Sequence, residues 1–141
     1  MIKFKFLPHT ADIKFQANGK TKDALFENCA LAVSSAYARG QKIKDKLKKT
    51  IQVSGKDNES LLYNFLEELI FQVDANYFIT LKAKVKIEQN QLKATLFGDK
   101  TQNYGLDSIK AVTYHQIYVK KPAWAGKPKL FWTSNKYILL T

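Results

Sequence analysis

The sequence predicts an α+β domain in which two helices pack on an antiparallel or mixed β-sheet. Three observations carry this reading. Several runs alternate apolar with polar residues, the mark of half-buried strands. Two longer stretches instead repeat apolar residues at helical spacing. The two kinds follow the order ββ-α-β-α-ββ-β-β, which gives hairpins rather than regular βα crossovers. No internal repeat and no linker interrupts the 141 residues, so a single domain is expected over 1–141.

The first strand is expected at residues 2–6, where Ile2, Phe4 and Phe6 alternate with lysines. A second is expected at 13–17. Pro8 between them cannot donate to a ladder, so pairing should break there. That leaves His9, Thr10 and Asp12 at a strand-to-strand bend. An imidazole, a hydroxyl and a carboxylate so close together can form a site. They can equally tie the turn, since Asp and Thr side chains commonly accept from nearby backbone N–H groups.

Asn18 and Gly19 read as a turn, and Thr21 as the N-cap of the first helix, with Asp23 favourably placed in its first turn. Leu25, Cys29, Val33 and Tyr37 recur every fourth residue with Ala32 and Ala36 beside them, and Gly40 ends the helix. Residues 41–49 carry five lysines and read as a solvated loop or frayed edge. A short strand at 50–54 leads to a second helix capped by Asp57 or Asn58. Its apolar stripe is Leu62, Phe65, Leu66, Leu69, Ile70 and Val73. Glu67 and Glu68 diverge by about 100° around that helix and read as surface charge. Residues 78–88 alternate over their whole length, and the polar turn at 88–91 folds them back onto a strand at 92–97 as a hairpin. A polar connection (98–107), a strand at 109–120, a Pro- and Gly-containing loop to 129, and a terminal strand or hairpin arm complete the chain.

Composition narrows the function classes. The 45% apolar content is ordinary for a globular chain able to bury a core. The one cysteine, Cys29, excludes an intrachain disulfide and points to a reducing, cytoplasmic setting. Its place on a helical stripe suits a small buried hydrophobe rather than a nucleophile. The N-terminus lacks the apolar core of a signal peptide, and no apolar run approaches the ~18 residues of a membrane span.

The net charge is +11, from 23 basic and 12 acidic residues. Lys82, Lys84 and Lys86 alternate with Leu81, Ala83, Val85 and Ile87, and read either as a solvated face or as one turned toward RNA. Arg39 is the single arginine, which disfavours specific base reading through guanidinium forks.

There is no phosphate loop, zinc spacing or nucleophile elbow. His9 and His115 are the only histidines, and nothing in their spacing supports a Ser-His-Asp arrangement. A hard cation needs several oxygen ligands, and Asp12 in its polar turn is the best single candidate.

Two segments then carry a family resemblance. Leu7-Pro8-His9-Thr10-Ala11-Asp12-Ile13 resembles the N-terminal motif of the archease family. Lys110-Ala111-Val112-Thr113-Tyr114-His115 resembles that family's second signature strand. Ala24-Leu25-Phe26-Glu27-Asn28 is similar to the start of its first helix. The Gly55 turn and the leucine-rich second helix follow in the family's order, so the resemblance covers essentially the whole chain.

The resemblance implies a non-catalytic protein cofactor of an RtcB-type tRNA-splicing RNA ligase, promoting ligase guanylylation and multiple turnover. RNA would be met indirectly, through the ligase. His9, Thr10, Asp12, Lys110, Thr113 and His115 would form the ligase-facing site. The family pattern also implies a divalent cation, often calcium. Its ligands are the Asp matched here by Asp12, an Asp near the C-terminus and a neighbouring carbonyl. Here Leu140 stands where that second Asp is expected. The Leu140 carbonyl with the α-carboxylate of Thr141 is the substitute expected to hold a cation weakly, if at all. The alternatives are a stand-alone basic RNA-binding or chaperone-like module, suggested by the charge and 18 aromatic residues, and a small hydrolase using His9 or His115.

Overall fold

The structure is a computed structural model and describes residues 3–7, 13–113, 119, 132–133 and 138–140. The elements are β1 (Phe4–Leu7), β2 (Ile13–Gly19), α1 (Lys22–Ala38), β3 (Leu47–Ser54), α2 (Asn58–Asn76), β4 (Phe78–Glu88), β5 (Gln91–Lys100), a 3-10 turn (Thr101–Asn103), β6 (Trp132–Thr133) and β7 (Ile138–Leu140). The α+β class with two helices holds. The described strands divide into two sheets, and every described strand pair is antiparallel.

In the first sheet β2 is central. β1 lies on one edge, and β6 and β7 follow one another along the other. The second sheet has the order β3-β5-β4. α1 packs against both β2 and β4, and so joins the two sheets; α2 covers β3 and β4. Phe26 of α1 and Phe65 of α2, fully buried, meet with ring centroids 6.0 Å apart.

Local chemistry explains both helix starts. The Ala24 N–H donates to Thr21 Oγ1 at 3.0 Å, the expected cap. Asp57 and Ser60 form a reciprocal capping box at the start of α2. The expected stripes face inward: Leu25, Cys29 and Val33 on α1, and Leu62, Phe65, Leu66 and Leu69 on α2, are buried. Burial pushes the Cys29 thiol far above its ordinary pKa, so it is an inert core side chain.

Helix α1 also closes a sheet edge. Among the described residues β4 pairs with β5 alone, which leaves backbone N–H groups on its other edge. Glu27 Oε2 accepts from Val85 N at 2.8 Å and Asp23 Oδ1 from Ile87 N at 3.1 Å. These carboxylates satisfy an edge that would otherwise recruit another strand.

Three expectations are corrected. β3 starts at Leu47, inside the stretch 41–49 expected as a loop, because residues 47–49 pair with Gly98, Phe97 and Leu96 of β5. Asn18 and Gly19 do not form a turn; β2 runs through both, paired with Thr133 and Trp132. Gly19 is required because the strand end presses on α1, where a Cβ would collide with the Leu25 backbone nitrogen. Strand β5 also extends past residue 97 to Lys100. Gly98 permits this, since a Cβ would strike the Ile79 carbonyl beside a bulge at Thr80 and Lys82. The expected hairpin turn is confirmed, with Gln89 and Asn90 both at positive φ (49° and 61°).

Candidate functional site

The described residues that flank the motifs singled out by sequence meet at one corner of the first sheet. β1 and β2 pair from Phe4↔Ala17 to Leu7↔Lys14, so the connection carrying His9, Thr10 and Asp12 leaves the sheet at the Leu7 end. β7 reaches the same end of β2, through Phe15↔Ile138, Lys14↔Leu139 and Ile13↔Leu140. Leu140 is itself bridged to Val112. Ile13, Leu140 and Val112 therefore lie side by side, although they come from the start, the end and the last third of the chain.

Lys110 is exposed, Thr113 is half-buried and Leu140 is buried at 1%. His9, Thr10, Asp12, His115 and Thr141 lie outside the described residues. By covalent connection Asp12 precedes Ile13, Thr141 follows Leu140, and Thr113 follows Val112.

The expected strand at 109–120 is not regular where it is described. Residues 105–111 have no regular secondary structure, and Val112 makes a single bridge. Polar ties replace a ladder. The Tyr104 hydroxyl donates to Asp99 Oδ2 at 2.6 Å. Gln41 clamps Gly105 twice: its Nε2 donates to the Gly105 carbonyl at 2.7 Å, and its Oε1 accepts from Gly105 N at 2.9 Å. Asp107 N donates to the Tyr37 carbonyl at 2.9 Å. Finally, Val112 N donates to Glu67 Oε1 at 2.7 Å.

Glu67 is thus a positioning residue and not the surface charge its sequence suggested. It is half-buried on α2 and holds the backbone of the motif segment at the residue that meets β7. Burial first, and then Glu67 by its charge and a hydrogen bond, raise the Tyr63 hydroxyl above its ordinary pKa. Only the i,i+4 spacing of Tyr63 and Glu67 at the border of the apolar stripe hinted at this, and such pairs abound on plain helix surfaces. Asp99 was also missed. It is 5% exposed and accepts from Tyr104 Oη, Lys100 N and Asn103 Nδ2. Those bonds, Tyr104's first, together with the charge of Lys46, hold its carboxyl below the usual range.

Of the residues expected to hold a cation, Leu140 is described, while Asp12 and Thr141 lie outside the described residues. Leu140, where the resemblance leads to the expectation of a carboxylate, is a buried apolar residue. The carboxylate tied to the corner, Glu67, is already engaged by Val112 N. No group of three or more His, Cys, Asp or Glu suited to a metal occurs among the described residues. Nor, among them, is any helix long and apolar enough to cross a membrane.

Comparison with known proteins bears on family and fold. Residues 4–131 match the family described as Archease protein family (MTH1598/TM1083). A protein archease of Methanosarcina barkeri is 39% identical over 139 residues, covering 91% of this chain and 93% of its own. One from Pyrococcus furiosus is 36% identical over 128 residues, covering 86% and 90%. The solution structure of Methanobacterium thermoautotrophicum protein 1598 superposes with a TM-score of 0.70 at 25% identity, covering 98% of this chain and 97% of that one. On the family match and these relatives, the chain belongs to the archease family.

Proposed function

We propose that this chain is a non-catalytic protein cofactor of an RtcB-type tRNA-splicing RNA ligase, raising ligase guanylylation and multiple turnover in tRNA splicing or RNA repair in the cytoplasm. Membership of the archease family supports a protein cofactor role with a protein partner. The observation that carries the reading further is the meeting of Ile13, Leu140 and Val112, which brings the backbones leading into both signature motifs to one corner. In this reading His9, Thr10, Asp12, Lys110, Thr113 and His115 face the ligase. Catalysis belongs to the ligase, and this chain supplies polar and acidic groups to its centre. The family's cation is proposed only as a weak site on Asp12, the Leu140 carbonyl and Thr141, because calcium favours about 6–8 oxygen ligands.

The test is multiple-turnover RNA ligation by such a ligase at saturating GTP and manganese, with and without this chain. Ligation and the guanylylated ligase fraction should both rise. Asp12→Ala should abolish the rise while its thermal melt stays close to that of the parent. If neither quantity responds to the parent protein, the reading is wrong.

A further inference from the structure

The outer face of the β3-β5-β4 sheet gathers five exposed lysines. Register alone assembles it. Lys48, Phe97 and Lys82 form one cross-strand row, and Lys93 lies directly opposite Lys86, with Lys84 between the two rows on β4. All five lysines are exposed and Phe97 is half-buried. The opposite face of the same sheet carries Ile51, Leu92, Ala94, Leu96 and Val85, all buried beneath the helices.

Charge is sorted by layer. Six of the twelve carboxylate side chains belong to α1 and α2 (Asp23, Glu27, Glu59, Glu67, Glu68 and Asp74), and these helices carry a single lysine, Lys22. A lysine coat serving only solubility has no reason to segregate in this way. On the sheet face, like charges stand opposed at Lys86 and Lys93, an unfavourable pairing within the free protein. Two carboxylates approach the face. Glu88 is 3.4 Å from Lys86, with side chains 72% and 76% exposed, and Asp45 is 3.9 Å from Lys82. Pairs this exposed add little stability, and five lysines against these two carboxylates still leave three positive charges in excess. Lys48, Lys84 and Lys93 have no ion pair among the described residues.

We propose that this face binds single-stranded RNA, with the lysines on phosphates and Phe97 as a stacking platform for a base. Lys82, Lys84 and Lys86 recur about every 6.8 Å along β4, a regular cationic track. A groove of about 460 Å³ runs beside it, lined by Lys84, Lys86, Lys93, Thr50 and Thr95. Phe97 lies at the head of the track, with Lys82 Nζ 5.6 Å from its ring centroid. A positive groove with an interleaved aromatic is how sequence-tolerant single-strand binders work. Arginine scarcity suits that mode, since phosphate contacts need charge and not a guanidinium fork. The face is built from a different sheet than the Ile13–Leu140–Val112 corner, so it stands apart from the ligase reading.

The experiment is fluorescence anisotropy of a labelled oligouridine of about 12 nucleotides with the isolated full chain, titrated between roughly 50 and 200 mM salt. The parent should bind with a clear salt dependence. The triple variant Lys84→Ala, Lys86→Ala, Lys93→Ala should lower the log–log salt slope by about 2, at ~0.7 per lost phosphate contact. The charge-matched variant Lys5→Ala, Lys20→Ala, Lys42→Ala, exposed elsewhere, should leave the slope nearly unchanged. Phe97→Leu keeps apolar bulk and should weaken binding about fivefold or more with the slope retained. Thermal melts confirm that each variant is folded. Equal loss in both triple variants would reduce the effect to net charge and overturn the assignment. So would absence of RNA binding by the parent. If the face variant bound no less RNA but lost ligase stimulation, the face would dock protein instead.

Discussion

Replacing Glu67 with alanine tests whether one carboxylate on α2 holds the second motif in place. Val112 is 5% exposed, and its N–H donates to Glu67 Oε1 at 2.7 Å. A hydrogen bond to a charged acceptor is worth about 1.5–3 kcal/mol, and orphaning a buried N–H costs a similar amount. Those are two descriptions of one loss, so Glu67→Ala should cost about 2 kcal/mol. At this chain length that is a fall in Tm of roughly 6 °C. Glu67→Gln keeps an acceptor oxygen in place and should recover at least half. Urea unfolding gives the energies, and amide hydrogen exchange gives the location. The Val112 amide should lose protection in Glu67→Ala well beyond amides in the middle of β5. Ligase stimulation should fall in parallel at a temperature where the variant is fully folded. A cost below about 0.5 kcal/mol, the range of ordinary surface substitutions, would refute the positioning role. So would a glutamine variant as impaired as the alanine one.

Two further outcomes follow from the same geometry. Asp99 has a folded pKa below its ordinary value, through Tyr104, Lys100 N, Asn103 and Lys46, so its ionised form stabilises the fold. That contribution is complete above the usual Asp range near ~3.9 and fades as pH falls through the lowered folded value. Asp99→Asn should therefore trail the parent in urea midpoint at pH 7, with the gap closing toward pH 3; a gap that stays constant across this range rules the linkage out. Leu140→Asp buries a carboxylate beside Ile13 and should be destabilised in chelator. Calcium at a hundredfold excess over its Kd should return about 2.7 kcal/mol. A variant whose Tm ignores calcium would show that the corner no longer has cation geometry.

The sequence by itself determined every element whose signal is local. The helix stripes, the cap at Thr21, the second cap to within one residue (Asp57 or Asn58), and the β4–β5 hairpin were legible because periodicity and capping act within a few residues. So was the family, through two motifs and the order of elements between them. Tertiary structure decided the rest. Gly19 and Gly98 looked like turn and connection residues. They are glycines because a distant backbone, at Leu25 or Ile79, presses on them. Glu67 looked like a solvated helix charge until Val112, 45 residues away, was seen to donate to it. Alternation puts Lys82, Lys84 and Lys86 on one strand face, but only cross-strand register, which no local pattern encodes, brings Lys48 and Lys93 onto it. Alternation tells each strand which residues face outward, whereas only pairing tells the strands which of those residues stand together.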